Sequence, residues 1–585
     1  MNEKLLGGVW QFFEIVKKYS IRTKKFCTFA TVKHCVSLLD TKIAQTFAKN
    51  KISIAMEQTE APITDCFPIG IQSFEDLRKG NAIYVDKTEY VFKLVRSATK
   101  SYFLARPRRF GKSLLCNTLR AYFEGKKELF EGLKIYQWEK EWIQYPVFYL
   151  DFVSDDYTVK GTLKDTISNT LSIFEEANGI VADTKKSLAK RFEADLKAVY
   201  EKTGKQTVVI VDEYDNPLVH STDLETDKAT FRGFFTVLKS SDRYIRFAFL
   251  TGVTKLAKTS VFTEDNQPED ISIDLDNAAI CGITETELID YFTPNIERLA
   301  QSEGISFEQS VDALKQWYDG YRFHELGASV FNPVSLFNVL KKKDFKNYWY
   351  GTGTPTILMQ RIRSSSFDYR LLDNDVKYMK NSLENYKDTD FRTELIPLLY
   401  YSGYLTIKSF EKIDRIVEYT LGFPNNEVKI SFLTNIIDEF YHSDIQSGFD
   451  YLAFSRDFIR GNVESVLRRF QALFETLPYA NDKNVALIER DFQNVIFLVF
   501  CILGYNAISE PHFSKGRADV ILINKDFVYV FEFKIDQDAQ TALNQINLNN
   551  YAGRYKMDGR KIFKIGVNFS SKEKNLTDWI VEAVE

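Results

Sequence analysis

The stretch that most constrains this chain is Tyr102 to Ser113, YFLARPRRFGKS, an apolar run that passes through Gly-Lys-Ser into a helical pattern. A strand that ends in a loop at a helix N-terminus gathers unpaired N–H groups and the positive end of a helix dipole at one point, which seats a phosphate. In such a seat Lys112 is expected to reach the β- and γ-phosphates and the Ser113 hydroxyl to hold Mg²⁺. Arg109, Phe110, Gly111, Lys112, Ser113 and Leu114 form the expected nucleotide-binding loop. The general pattern asks for Gly five residues before Gly111, and Arg106 stands there instead. The competing reading is a surface turn whose basic residues serve solubility. Context opposes it: Tyr102, Phe103 and Leu104 read as a buried strand, Leu115, Leu119 and Tyr122 share one helix face, and Gly125 ends that helix.

A chain of 585 residues exceeds what one core can organise. Its 44% apolar and 27% charged residues are ordinary for a folded protein. The net charge of −4 excludes a generally basic nucleic-acid coat, without bearing on a local groove. The six cysteines stand at 27, 35, 66, 116, 281 and 501, too far apart in sequence for a CxxC pair, so a reduced, cytoplasmic chain is expected. Five histidines make a His-based zinc site a poor expectation. The longest apolar run, Val495 to Leu503, is about half a bilayer span, so no membrane association is predicted.

Residues 1–55 carry ten Lys/Arg against three acids, about +7, which leaves about −11 for the remainder. An amphipathic, acid-poor leader can be a targeting segment. Without a secretory cleavage site or a continuous hydrophobic core, residues 1–59 read instead as a dispensable basic extension.

Beyond it, a short strand near Phe67, a helix starting at Ser73 and a second strand at Ala82 to Val85 are expected. Pro146 to Phe152, Thr207 to Val211 and Arg246 to Leu250 read as short buried strands, and Val159 to Tyr200 as a long helical region. Short buried strands between helices predict a parallel sheet covered on both faces. Asp212 and Glu213 end the most β-branched strand, and ligands collect at the carboxyl ends of parallel strands. Asp212 is expected to hold Mg²⁺ and Glu213 to polarise the attacking water, a Walker B arrangement suited to phosphoryl transfer. Capping of the next helix is the alternative use of such an acidic pair. Thr251, in TGVTK, fits either a γ-phosphate sensor or a Gly-containing turn.

FPIGIQSFEDLR, RPRRFGKSLL, VIVDEYDNPL, TGVTK with Asp270-Ile271-Ser272, WYDGYRF and YWYGTGTP together resemble the AAA-ATPase-like family. In that family RPRRFGKS is the usual loop, so Arg106 fits it. The resemblance covers about residues 60–440 and implies ATP binding, with a domain at 60–285 and a helical, winged-helix-like region at 286–440, the latter suggested by LLYYSGYLTIKS (398–409). It leaves a homo-oligomer open, and no arginine finger is legible.

From about Tyr441 the chain starts again. Alternation along Phe527 to Ile535 puts Glu532 and Lys534 on one face with Val528 and Val530. Charges on such a face need a reason. In a hairpin turning at Asn524 to Asp526, Asp519 falls opposite Glu532. Two converging carboxylates make a hard Mg²⁺ site, and Lys534 beside them can orient water or stabilise developing charge. The alternative is an exposed edge strand with an ion pair. The D-x₁₂-E-x-K spacing resembles the PD-(D/E)XK nuclease core, with Ala518-Asp519 in place of Pro-Asp. That resemblance implies a catalytic acid at Glu489 on a first core helix, Asp491 to Leu503, with Gln493 one turn on. It also implies supporting residues Gln545 and Tyr551 on the helix after the E-x-K strand, and a last strand in 559–570. Residues 441–585 then form a restriction-endonuclease-like α/β domain.

The overall expectation is an α/β chain: a P-loop NTPase parallel sheet, a helical and winged-helix middle region, and a nuclease-like C-terminal domain. Its function is expected to be an ATP-regulated, Mg²⁺-dependent nuclease acting on nucleic acid, DNA before RNA. A nucleotide-gated binding or signalling module without cleavage is the alternative, with Arg460, Arg468 and Arg469 as contacts. A third reading is an ATPase that no longer hydrolyses because Arg106 fills the Gly position.

Overall fold

The computed structural model describes residues 66–255, 268–349, 376–386, 395–441, 450–476, 496, 499–500, 506–509, 512–513, 516–557 and 559–584. The 1–59 extension, Glu489 and Gln493 lie outside them, and of Asp491 to Leu503 only residues 496, 499 and 500 are described, all helical.

Five strands form the first sheet: β1 (Ser101–Ala105), β2 (Val147–Asp151), β3 (Thr207–Asp212), β4 (Ile245–Gly252) and β5 (Glu269–Asp270). Their order is β2-β3-β4-β1-β5 and every pairing is parallel. The three expected strands around 147–250 all form, and β3 is buried along its whole length. Phe148 packs on Phe174 of α3 (Thr162–Asn178) and Phe192 of α4 (Leu188–Thr203). Its neighbour Tyr149 receives a hydrogen bond from Asn117 of α2 (Lys112–Phe123). Adjacent strand residues face opposite ways, so these helices cover the two faces of the sheet.

The structure corrects the sequence reading in two places here. Residues 66–85 contain helix α1 (Phe74–Lys79), capped by Ser73 as expected, but no strand. Phe67 and Val85 owe their apolar character to a cluster shared with Leu288, Phe292 and Phe337, and one backbone bond, Ile83 N to Cys66 O, joins the two stretches. Apolar burial without a strand neighbour imitates a β signal. The long helical region is two helices, because Gly179 ends α3 in the left-handed conformation and Ser187 caps α4.

The middle region holds α5 (Glu285–Glu303), α6 (Phe307–Tyr318) and α7 (Pro333–Lys342). There follow strand β6 (Val376–Met379), α8 (Leu395–Tyr401), hairpin strands β7 (Thr406–Ile413) and β8 (Ile416–Gly422), and α9 (Asn426–Tyr441). The three strands pair antiparallel in the order β6-β8-β7, giving the helix-then-hairpin arrangement of a wing.

After α10 (Tyr451–Ile459) and α11 (Val463–Thr476), a second five-stranded sheet contains β9 (Asn506–Ser509), β10 (Val520–Ile523), β11 (Phe527–Ile535), β12 (Lys561–Ser570) and β13 (Asn575–Val584). Its order is β13-β12-β11-β10-β9. Helix α12 (Ala539–Asn549) covers one face. Here β12 is not the last strand: β13 pairs antiparallel with it and forms the edge. Gln545 lies on α12, whereas Tyr551 lies just past its C-cap, Asn550. No helix of the described residues is long and apolar enough to cross a membrane.

Candidate functional site

Strand β1 delivers the chain to the loop, and Gly111, with φ 92°, caps α2. The side chain of Arg106 leaves the loop on the far side. It is buried, donates to the carbonyls of Ala105 (2.9 Å), Ser272 (2.8 Å) and Asn277 (3.0 Å), and lies 3.9 Å over the Phe323 ring. Phe110 packs edge-on against Tyr321 and Phe323. The WYDGYRF segment thus clamps the loop from below, and Arg106 fills the glycine position without entering the phosphate side.

On the open side, Lys112 Nζ donates to the carbonyls of Arg106 (3.1 Å) and Pro107 (3.2 Å) and pairs with Glu213 Oε1 at 3.0 Å. Asp212 is buried and accepts hydrogen bonds from Thr251 Oγ1 (2.6 Å) and from the Ser113 hydroxyl. Burial pushes the Asp212 carboxyl up, and those two hydroxyls partly offset it. Ser113, Asp212 and Thr251, expected from three separate stretches, therefore share one hydrogen-bonded group. Glu213 has a left-handed backbone, φ 52°, a conformation that non-Gly residues hold only where their surroundings fix it.

Arg109, also left-handed at φ 69°, donates to the Tyr348 carbonyl at 3.4 Å. The backbone N–H groups of Tyr348 and Trp349 donate to Glu427 Oε1 of α9 at 2.6 and 2.9 Å. Burial raises the Glu427 carboxyl to about 7. The loop and α9 are thereby joined through residues 348–349.

These groups open into a cleft of about 640 Å³. Its walls come from Pro68–Gln72, the loop residues Arg108, Arg109 and Gly111–Leu114, Val153, Glu213 with Asn216, and Pro333, Val334, Phe337 and Asn338 of α7. Phe110 lines a smaller adjoining cavity instead.

Several contributors escaped the sequence reading. Asp215 is buried and receives the N–H groups of Val253 (3.2 Å) and Thr254 (2.7 Å), tying the turn after β4 to the turn after β3. A Cβ at Gly252 would fall 2.6 Å from Asp215 and Tyr214, so that tie requires glycine. Asp215 was legible as a third acid in VDEYDNP, although its use as a backbone acceptor was not. Asn332-Pro333 is a visible helix start, yet nothing in its sequence aims it at the cleft.

In the C-terminal sheet, Val520 pairs with Phe531 at the end of the β10–β11 ladder, which leaves Asp519 just before β10 and Glu532 on β11 one residue past that pair. Asp519 Oδ2 accepts from the Phe533 N–H at 2.7 Å. Glu532 is 1% exposed, and Lys534 Nζ lies 3.2 Å from its Oε1. β11 is an interior strand with both faces covered, which removes the edge-strand alternative. On the parallel neighbour β12, Gly566 stands beside Glu532, and a Cβ there would fall 2.4 Å from the Ala539 carbonyl of α12. Among the described residues no group of three or more His, Cys, Asp or Glu is placed to hold a metal. Asp519 and Glu532 offer an oxygen-only pair, as Ser113 and Asp212 do, and such donors suit a hard divalent cation. Of the basic residues considered for nucleic acid, Arg469 pairs with Asp457 and Arg468 with Glu464, both at 2.9 Å.

A phosphate-loop cradle on a parallel sheet and paired carboxylates on a nuclease-type hairpin define a two-part class. Residues 68–262 match the family AAA-ATPase-like, described as predicted AAA-ATPase, and residues 487–579 match the PD-(D/E)XK nuclease superfamily. The chain belongs to this AAA-ATPase-like family with a nuclease-superfamily domain at its C-terminus. It is 33% identical over 533 residues to a protein of Azotobacter chroococcum mcd 1 described as "Uncharacterized protein in vnfD 5'region", covering 88% of this chain and 99% of that one. Among solved structures, the Aeropyrum pernix ORC2 protein in ADPNP-ADP complexes aligns at 13% identity and TM-score 0.27, over 63% of this chain and 94% of that one. CDC6P from Pyrobaculum aerophilum aligns at 11% identity and TM-score 0.21, over 63% and 95%. These superpositions are loose.

Proposed function

We propose that this protein is an ATP-regulated, Mg²⁺-dependent nuclease acting on DNA in the cytoplasm. The observation that carries it is a cleft lined by Lys112, Ser113 and Glu213, with Asp212 and Thr251 hydrogen-bonded behind Ser113, in a chain whose distant hairpin also brings Asp519 to the strand that carries Glu532. Residues 60–285 bind ATP, 286–440 respond to it and 441–585 cut, with 1–59 an accessory extension.

In the cleft, Lys112 exchanges Glu213 for the β- and γ-phosphates, while Ser113 and Asp212 hold Mg²⁺. Glu213, released, orients the attacking water, and Thr251 senses the γ-phosphate. In the C-terminal domain Asp519 and Glu532 hold Mg²⁺, Lys534 stabilises charge on the phosphodiester, and Glu489 completes the acidic set. The Arg109–Tyr348–Glu427 connection supports nucleotide control of the middle region, because any shift of the loop on binding reaches α9 through it. Self-association through the ATPase domains is part of this reading.

The test is a Mg²⁺-dependent cleavage assay on single- and double-stranded DNA and on RNA, with and without ATP. Glu532→Ala is expected to lower cleavage by at least about 10³-fold and leave ATP affinity unchanged. Lys112→Ala is expected to weaken ATP binding by roughly 10²-fold or more and to remove the ATP effect on cleavage. Nucleic-acid binding without cleavage, indifferent to Asp519→Ala, replaces this reading with the binding module.

A further inference from the structure

The loop RPRRFGK carries four cations, and the structure commits three of them. Arg106 is fixed by three carbonyls and the Phe323 ring, Arg109 by the Tyr348 carbonyl, and Lys112 by Glu213. Arg108 is half-buried, lines the cleft, and makes no hydrogen bond or ion pair to any described residue. Burial is the first cause that lowers the ionisation of Arg109, and the like charge of Arg108 adds to it. Beyond it, His220 is held below its usual range first by burial and then by the Arg108 charge. Arg108 lines the same cleft as Lys112, Glu213 and Asn216.

A guanidinium held in a cleft beside a like charge, with no ion pair among the described residues, is unfavourable in the empty protein. It becomes favourable when an anion of high charge enters, and its planar fork matches phosphate oxygens. Neither α7 nor the other cleft walls bring a cation to this point: Arg108, Arg109 and Lys112 are the only cations among the described residues that line the cleft.

We propose that Arg108 binds the γ-phosphate in cis and stabilises its charge as it passes to water, so that one chain carries the arginine many nucleotidases take from a neighbouring protein. This rests on the reading of the cleft as an ATP site. The water oxygen bonds to Pγ as the bond from Pγ to the β-phosphate bridging oxygen breaks. The bridging electron pair stays with ADP, and the water proton leaves through Glu213 to solvent. Arg108 donates to the γ-phosphate oxygens throughout and gains most where charge is greatest, in the transition state.

The experiment compares phosphate release and equilibrium ATP binding for wild type, Arg108→Lys, Arg108→Ala and an equimolar mixture of Arg108→Ala with Lys112→Ala. Arg108→Ala is expected to lower kcat by roughly 10³-fold with KM changed less than about tenfold, and to melt with the wild type, since it loses no protein partner. Arg108→Lys is expected to fall between. The mixture is expected to stay as slow as its parts, because no neighbour supplies the missing group. Release by Arg108→Ala within threefold of wild type, or recovery on mixing, overturns the in-cis role while leaving ATP binding in place. A wild type that binds no ATP overturns the reading of the cleft and this role with it.

Discussion

The cleft around Gly111–Ser113 and the C-terminal hairpin both gather side-chain oxygen atoms, by different means. In the hairpin, Glu532 and Lys534 sit on β11 and Asp519 immediately before β10, its carboxylate accepting from the Phe533 N–H, so two neighbouring segments bring the three together. In the cleft, the ends of β1, β3 and β4, the start of α7 and residues 68–72 each contribute, and buried side chains such as Asp215 hold the turns in place. A site made by register is robust to what lies far away. A site made by convergence depends on every tie between its parts.

That contrast can be broken or sharpened by substitution. The largest effect is expected where backbone leaves no room: Gly566→Ala forces a Cβ to 2.4 Å from the Ala539 carbonyl and 2.7 Å from the Leu543 N–H of α12. Denaturant unfolding of the C-terminal transition should register a loss of about 3 kcal/mol, and cleavage should fall with it while ATP binding persists. Retention of the α12 packing at full stability would show that the register alone does not define the hairpin site.

A smaller effect is expected at Glu427, which joins α9 to residues 348–349. Its carboxyl is raised from 4.5 to about 7, so the folded state binds a proton that the unfolded state has released between those values. Its contribution is full below the unfolded value and is lost as pH rises through the folded one. Glu427→Gln keeps the acceptor for both N–H groups and should remove a pH-dependent loss on the order of 2 kcal/mol, measured as melting temperature against pH.

The smallest of the three is Gly252→Ala. Its Cβ would meet side-chain atoms of Asp215 and Tyr214, which can shift where backbone cannot. A loss of about 1–2 kcal/mol is expected, with ATP affinity falling more than stability because Asp215 positions the turn beside Thr251. Equal losses in both would mean that the tie serves the fold alone.

The same contrast explains what could be read in the chain. The hairpin that brings the Asp519 and Glu532 stretches together follows from alternation and a turn, both local, and the observed register runs from Val520–Phe531 to Ile523–Val528. Likewise the β-branched run 207–211 fixes β3, and Asp212 and Glu213 fall at its carboxyl end with no further information. Asp215 and the cleft residues Pro333, Val334, Phe337 and Asn338 were not legible as parts of the site, because their roles come from contacts between segments far apart in sequence. Phe67 to Val85 misled for a related reason: the apolar residues were real, but their partners were helices of the middle region, not strands. β13 went unseen because its half-buried edge shows little alternation.

The placement of Arg106 has a consequence for how the protein is made. Its guanidinium rests on Phe323, and the ring of Phe110 rests on Tyr321 and Phe323, more than two hundred residues downstream. A nascent chain that has emerged only as far as the last strand of the first sheet therefore lacks the floor beneath its phosphate loop. The floor under the loop is complete only once the DGYRF segment has left the ribosome and folded beneath it.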